Sequence, residues 1–200
     1  MNTKYETWTD EDLAAACKKH DGSAFQELMN RYIKQIFNFS RQYGRTPEDT
    51  EDITQDTFFK VWKYIGRYAK GRKFRPWLYT IARNTALDYI KKKRATLFSD
   101  IDDSENDIPF AETLEDQEPA ADEIFAKTHD VNLLTKALDN LHPDHRSILV
   151  LHYHEDLTFD EIADVIGKPM NTVKSWHRRA LLKLRGLMAE PNAPLSQKQS

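Results

Sequence analysis

Residues 99–123 carry 11 acidic side chains and no lysine or arginine. This stretch also holds Pro109 and Pro119 and has no apolar stripe at helical spacing, so it cannot bury enough surface to build a core. Mutual repulsion favours an extended strand that reaches at most ~80–90 Å. The chain is therefore expected to fold as two bodies, residues 1–98 and 124–190, joined by an acidic linker at 99–123 and followed by a polar tail at 191–200. Charge supports the division. Residues 1–98 hold 19 Lys/Arg against 12 Asp/Glu, and residues 124–200 hold 10 against 9, so the overall net charge of -3 conceals a basic first module.

A chain of 200 residues that is 40% apolar has material for two small cores. Its single cysteine, Cys17, excludes an internal disulfide and a multi-cysteine zinc site, and its place in a helical pattern suits a buried, inert thiol. The N-terminus lacks a signal-peptide pattern, and no run approaches the ~18–20 apolar residues needed to cross a bilayer. The expectation is a soluble, cytoplasmic protein without direct membrane insertion.

Helical signals fill the first module. Thr9 with Asp12 reads as a capping box, with Trp8 and Leu13 as its hydrophobic staple. Phe25, Leu28, Met29, Tyr32, Ile33, Ile36, Phe37, Ser40 and Tyr43 recur at three-and-four spacing up to Gly44, a plausible stop. Thr46 caps the next helix, with Pro47 at its first position, Glu48 and Asp49 favoured by the helix dipole, and Ile53, Phe58, Val61, Trp62 and Ile65 on the apolar stripe. Gly66 and Gly71 bracket a basic loop. A last helix over about residues 74–94 turns Trp77, Leu78, Ile81, Ala82, Thr85 and Tyr89 inward.

In the second module Pro143 opens a helix, and Thr158 with Glu161 forms a capping box stapled by Leu157 and Ile162. The short helix FDEIADVI ends at Gly167, a turn follows, and Asn171 caps a second helix. That order is a helix-turn-helix. Thr172, Lys174, Ser175, Arg178 and Arg179 are the polar and basic side chains of the second helix. They fit a major groove, where base edges need donors and acceptors and phosphates need cations. A solvated basic face is the plainer alternative, and the capped short helix with its turn weighs against it.

In the first module, Tyr64, Tyr68, Phe74, Trp77 and Tyr79 lie among Arg67, Lys70, Arg72, Lys73, Arg75 and Arg83. Single-stranded nucleic acid is held by such pairing, aromatic faces stacking on bases while cations follow the backbone. Trp77 reads better as core. Tyr68 and Arg72, in the loop, read as ligand contacts.

The segments DITQDTFFKVW, FRPWLYTIARNTALDYIKKKR and LTFDEIADVIGKPMNTVKSWHRRALLKLR resemble regions 2 and 4 of the sigma-70 family of RNA polymerase sigma factors. Their order and lengths are similar to the extracytoplasmic-function (ECF) group. The resemblance implies an all-α protein of two small helical domains that directs promoter-specific transcription initiation. It also implies three interfaces. Asp52, Gln55 and Asp56 look like a docking face for core RNA polymerase. Tyr68, Arg72, Lys73, Asn84, Asp88, Lys91 and Lys92 occupy positions that approach the melted -10 element. Thr172, Lys174, Ser175, Arg178 and Arg179 occupy those that read duplex -35 DNA. Promoter DNA, core polymerase and an anti-sigma factor are the implied partners, and the linker is expected to thread toward basic parts of the polymerase. Two residues depart from the pattern: Trp176 stands where an arginine is common, which puts the -35 preference in doubt, and His142 where a proline is usual.

No phosphate loop, nucleophile motif or catalytic acid pair stands out, so neither enzymatic activity nor a cofactor is expected. His142, His145, His152 and His154 lack a carboxylate at ligand spacing, so surface or interface positions explain them more simply than a metal site. The rival reading is a conventional helix-turn-helix regulator that does not join polymerase. A second is a decoy that keeps the fold without initiating.

Overall fold

The computed structural model describes residues 5–97 and 131–189, all of whose regular elements are helical. The expected linker at 99–123 and tail at 191–200 lie outside the described residues. Among the described residues four α-helices form the first module: α1 (Asp10–Cys17), α2 (Gly22–Ser40), α3 (Pro47–Tyr64) and α4 (Phe74–Leu97), with a short 3-10 turn, Ile65–Arg67, after α3. The second module holds α5 (Val131–Asp139), α6 (Pro143–Tyr153), α7 (Phe159–Ile166) and α8 (Met170–Ala189).

The starts of α1, α2 and α3 have local causes. Thr9 accepts from the Asp12 amide, and the Asp21 side chain accepts from the Ser23 and Ala24 amides at 3.0 Å, so the first donors of α1 and α2 are satisfied. Thr46 and Asp49 cap α3 reciprocally, with Pro47 in the first turn. At α4 the cap comes from another helix: Glu11 of α1 accepts from the Phe74 amide at 3.1 Å. Gly44 is required by proximity, because a Cβ there would sit 2.7 Å from Thr50 Oγ1 and 3.0 Å from the Thr50 amide nitrogen. The α2 helix ends at Ser40, before that glycine.

Leu28, Ile36 and Phe39 of α2 meet Ile53 and Val61 of α3 and Phe74, Leu78 and Tyr79 of α4 in one buried cluster. Removing a side chain of this size from water contributes about 1.5–3 kcal/mol. Thr54 and Thr57 are buried polar residues on the same face of α3, and each hydroxyl donates at 2.7 Å to the carbonyl four residues earlier.

In the second module His142 itself caps α6, Nδ1 accepting from the Asp144 amide at 3.3 Å, so the missing proline leaves the helix start intact. Thr158 and Glu161 form the expected box on α7, and Gly167 ends that helix in the left-handed region at φ 72°. The α8 helix begins at Met170, which places Asn171 inside the first turn instead of at the cap. The expected order of short helix, turn and long helix is present.

The two modules are in contact. Helix α7 lies along α4, and Leu157, Ile162, Val165 and Ile166 join the same buried cluster as the first module's core. A smaller cluster, Ala137, Leu141, Leu149, Ala180, Leu181 and Leu184, belongs to the second module alone.

Candidate nucleic-acid and protein interfaces

Asp52, Gln55 and Asp56 are exposed along α3, as an outward-facing docking row requires. They line one cleft of about 620 Å³ together with Asp88 and Lys92 of α4. The structure thus brings residues of two separately expected sites to one surface. Asp88 pairs with Lys60 at 3.2 Å across the cleft. Asn84, Asp88, Lys91 and Lys92 are all exposed on α4, one helical turn after another.

Beneath this cleft the N-terminus of α3 is tied to α4. Asp49, 4% exposed, accepts from Tyr89 Oη at 2.8 Å and pairs with Lys93. The Lys93 ammonium holds the Asp49 carboxyl well below the usual carboxylate range, with Tyr89 and the Arg45 amide adding to it against the opposing cost of burial.

The basic loop corrects one expectation. Tyr68 is buried at 4% exposure, its ring centroid 5.8 Å from Phe74 and 5.3 Å from Trp77. Its hydroxyl donates to the Arg72 carbonyl, and the Lys18 ammonium donates to the Tyr68 carbonyl. In this arrangement Tyr68 has no face to offer a base; it fastens the loop. Phe74 and Tyr79 are buried too, and Trp77 and Tyr64 are half-buried, so the aromatic residues of this stretch are mostly core. A run in which aromatic residues alternate with cations cannot reveal which aromatics face inward, because several rings here are set by contacts with distant helices. Arg72 and Lys73 remain outside, carried past the turn by Gly71 at φ 85°.

These two cations already have partners. Arg72 pairs with Asp164 at 3.2 Å and Lys73 with Glu161 at 2.8 Å, both acids on α7. Hydrogen bonds from Lys73 and Thr158 hold Glu161 below the usual carboxylate range, outweighing the upward effect of burial.

On α8, Lys174, Ser175 and Arg179 are exposed, and Thr172 and Arg178 are half-buried. Ser175 donates to the Thr172 carbonyl at 2.8 Å, which turns one hydroxyl back onto the helix. Trp176 is half-buried, its ring 5.6 Å from that of His145 and 5.9 Å from the Lys168 ammonium. Its neighbour His177 anchors α8 to α6 and α7, Nε2 lying 2.9 Å from Tyr153 Oη and the ring 5.0 Å from Phe159. Burial pushes His177 down to about 4, with a smaller contribution from His152. The histidines thus include members of an aromatic packing cluster, and among the described residues no group of His, Cys, Asp and Glu is placed to hold a metal ion.

Sequence reasoning missed an apolar groove of about 430 Å³ lined by Phe25, Met29 and Ile33 of α2 with Phe58, Phe59 and Trp62 of α3. Phe59 is 66% exposed and Ile33 43%. The signal was available in Phe58–Phe59, since consecutive residues lie about 100° apart on a helix and cannot both face the core.

Residues 28–96 match the model of Sigma-70 region 2, and residues 137–186 that of Sigma-70, region 4. The chain is 32% identical over 168 residues to the RNA polymerase sigma factor CarQ of Myxococcus xanthus, covering 84% of this chain and 90% of CarQ. It is 28% identical over 170 residues to the ECF RNA polymerase sigma factor SigW of Bacillus subtilis (strain 168), covering 84% and 90%. A solved fold that it resembles is the sigma factor RpoE in complex with the anti-sigma factor NepR from Bartonella quintana, with TM-score 0.63 at 22% identity, covering 84% of this chain and 98% of that one.

Proposed function

Since this chain belongs to the sigma-70 family, in its extracytoplasmic-function group, we propose that its two modules divide promoter recognition between them while RNA polymerase supplies all covalent chemistry. The protein is a transcription initiation factor that binds core RNA polymerase and promoter DNA and directs promoter-specific initiation. The observation that carries this reading is the region 2 match of the first module, because a helix-turn-helix alone occurs in many regulators that never join polymerase.

Within that reading residues 1–98 bind polymerase and engage the -10 element, residues 124–190 read the -35 element, residues 99–123 connect them, and residues 191–200 form a tail. Asp52, Gln55 and Asp56 meet basic residues of polymerase; their exposure along α3 supports this. Arg72, Lys73, Asn84, Lys91 and Lys92 follow single-stranded -10 DNA, with Asp88 contacting base or positioning Lys60. Tyr68 holds the loop in shape. Lys174, Ser175, Arg178, Arg179 and Thr172 face the major groove, backed by Trp176 and His177. The protein works in the cytoplasm, beside polymerase and DNA, and no described helix is long and apolar enough to cross a membrane. An anti-sigma factor is its expected regulator, as NepR is a partner of RpoE.

Run-off transcription with purified core polymerase on genomic fragments tests the reading. Transcripts that need the protein, and that disappear when Asp52→Arg and Asp56→Arg are combined, support it. A protein that binds duplex DNA yet neither associates with core polymerase nor yields transcripts overturns it in favour of a conventional regulator.

A further inference from the structure

Resting on the reading above, we propose that Lys168, in the turn between α7 and α8, is a further phosphate contact of the -35 reader, and that Trp176 is the positioning residue that holds it.

Lys168 is exposed and lies between Gly167, which closes α7 at φ 72°, and Met170, where α8 begins. The backbone of this turn is fixed. The Gly167 and Lys168 amides both donate to the Ala163 carbonyl, at 2.9 and 3.3 Å, and the Pro169 carbonyl accepts from the Val173 amide at 3.1 Å. Pro169 also confines the residue before it to extended conformations. A recognition helix presents its N-terminal residues to base edges, so the turn that leads into it runs beside a phosphate strand. A cation there adds affinity and reads no base.

What the turn leaves free is the long lysine side chain, and Trp176 restrains it. The Lys168 ammonium lies 5.9 Å from the centroid of the Trp176 ring, within reach of a cation–π attraction. The ring is itself braced, because it is half-buried against the core with His145 of α6 at 5.6 Å. The opposite side of α8 repeats the arrangement. Lys174 is two residues from Trp176, about 200° around the helix. Its ammonium lies 6.0 Å from the Phe159 ring, which His152 and His177 brace at 4.5 and 5.0 Å. Each side of the reader thus carries a lysine resting on an aromatic ring. Holding such a side chain before DNA arrives removes part of the entropy cost of immobilising it. The charge that an arginine at position 176 would bring is supplied from the turn, and the tryptophan sets where it stands.

The test uses holoenzyme assembled from core polymerase and the full chain, binding the genomic fragment that gives the strongest run-off transcript, over a series of salt concentrations. Lys168→Ala should weaken binding about two- to tenfold and lower the salt slope by about one, alike for fragments with altered -35 sequence. Trp176→Leu should cost a similar factor when Lys168 is present and little when it is already alanine, while Trp176→Phe, which keeps an aromatic face, should retain most of the affinity. Unchanged affinity and slope in Lys168→Ala overturn the proposal. Additive losses in the double variant overturn it too, because the ring would then act without the lysine, by touching DNA itself or by packing alone. If Trp176→Leu does not fold, the slope of Lys168→Ala decides. A wild-type chain that neither joins polymerase nor yields a transcript sinks the functional reading and this inference with it; a transcribing wild type with an indifferent Lys168→Ala variant sinks this inference alone.

Discussion

The same local device starts α3 and α7, and the two copies are used differently. Thr46 with Asp49 and Thr158 with Glu161 are both capping boxes: in each, the threonine accepts from the amide three residues on, at 3.2 and 3.3 Å, while the acid returns the bond. Each acid has a second oxygen to satisfy. Asp49 turns it inward to Tyr89 and Lys93 of its own module. Glu161 turns it across the contact to Lys73 of the other. The difference shows that a capping motif settles where a helix begins and leaves open what its spare charge will hold.

That contrast is most severely tested at Asp49. Asp49→Ala removes a cap bond and the carboxylate that Tyr89 and Lys93 share, so it should lower unfolding free energy by about 2–4 kcal/mol, measured by urea titration. A loss no larger than that of Thr46→Ala would show that the inward oxygen adds nothing. Thr46→Ala and Thr158→Ala should each cost about 1 kcal/mol, because the shared part of the two motifs is local. Unequal costs would mean that one box is more than a box.

Glu161→Gln keeps an acceptor for Thr158 and removes the charge facing Lys73. Thermal stability should barely change, while the affinity of the full chain for a single-stranded -10 oligonucleotide should rise at low salt and revert toward wild type as salt increases. No gain at low salt would mean that Lys73 was never withheld.

Acid titration separates the groups further. Asp49 and Glu161 both have folded-state pKa values below their ordinary values of 3.8 and 4.5. Their contributions are therefore complete above those values and are lost as pH falls through the lowered ones. His177 acts at higher pH. Its folded value of about 4 lies below the ordinary 6.5, so an unfolded chain takes up a proton that the folded one refuses, and stability declines as pH falls from 6.5 toward 4. His177→Gln should flatten the melting temperature over that interval relative to wild type; an unchanged slope would remove His177 as its cause.

Much of the architecture was legible from residues alone. Caps at Thr9, Thr46 and Thr158 and the stop at Gly167 depend on groups within a few residues of one another, and the structure has them where the motifs lie. The family resemblance pointed to Asp52, Gln55 and Asp56, and the structure has all three on the outside of α3. Exposure of aromatic side chains was less accessible. Tyr68 looked like a loop contact and is buried by Phe74 and Trp77, whereas Phe59 attracted no notice and stands in solvent. Trp176, which stands where an arginine is common, packs against His145. For Tyr68 and Trp176 the deciding neighbours lie on other elements.

What the order of residues determined here is governed by short range: most helix starts, the stop at Gly167, amphipathic stripes, the helix-turn-helix and the segregation of charge. What only the tertiary structure decided is which surfaces are already taken. The union of the two modules, with Glu155 buried against Tyr79 and the α7 acids set on Arg72 and Lys73, joins residues some 76 to 92 positions apart. No periodicity or spacing rule reaches that far, because such pairings come from the packing of whole helices and not from the local geometry of the backbone.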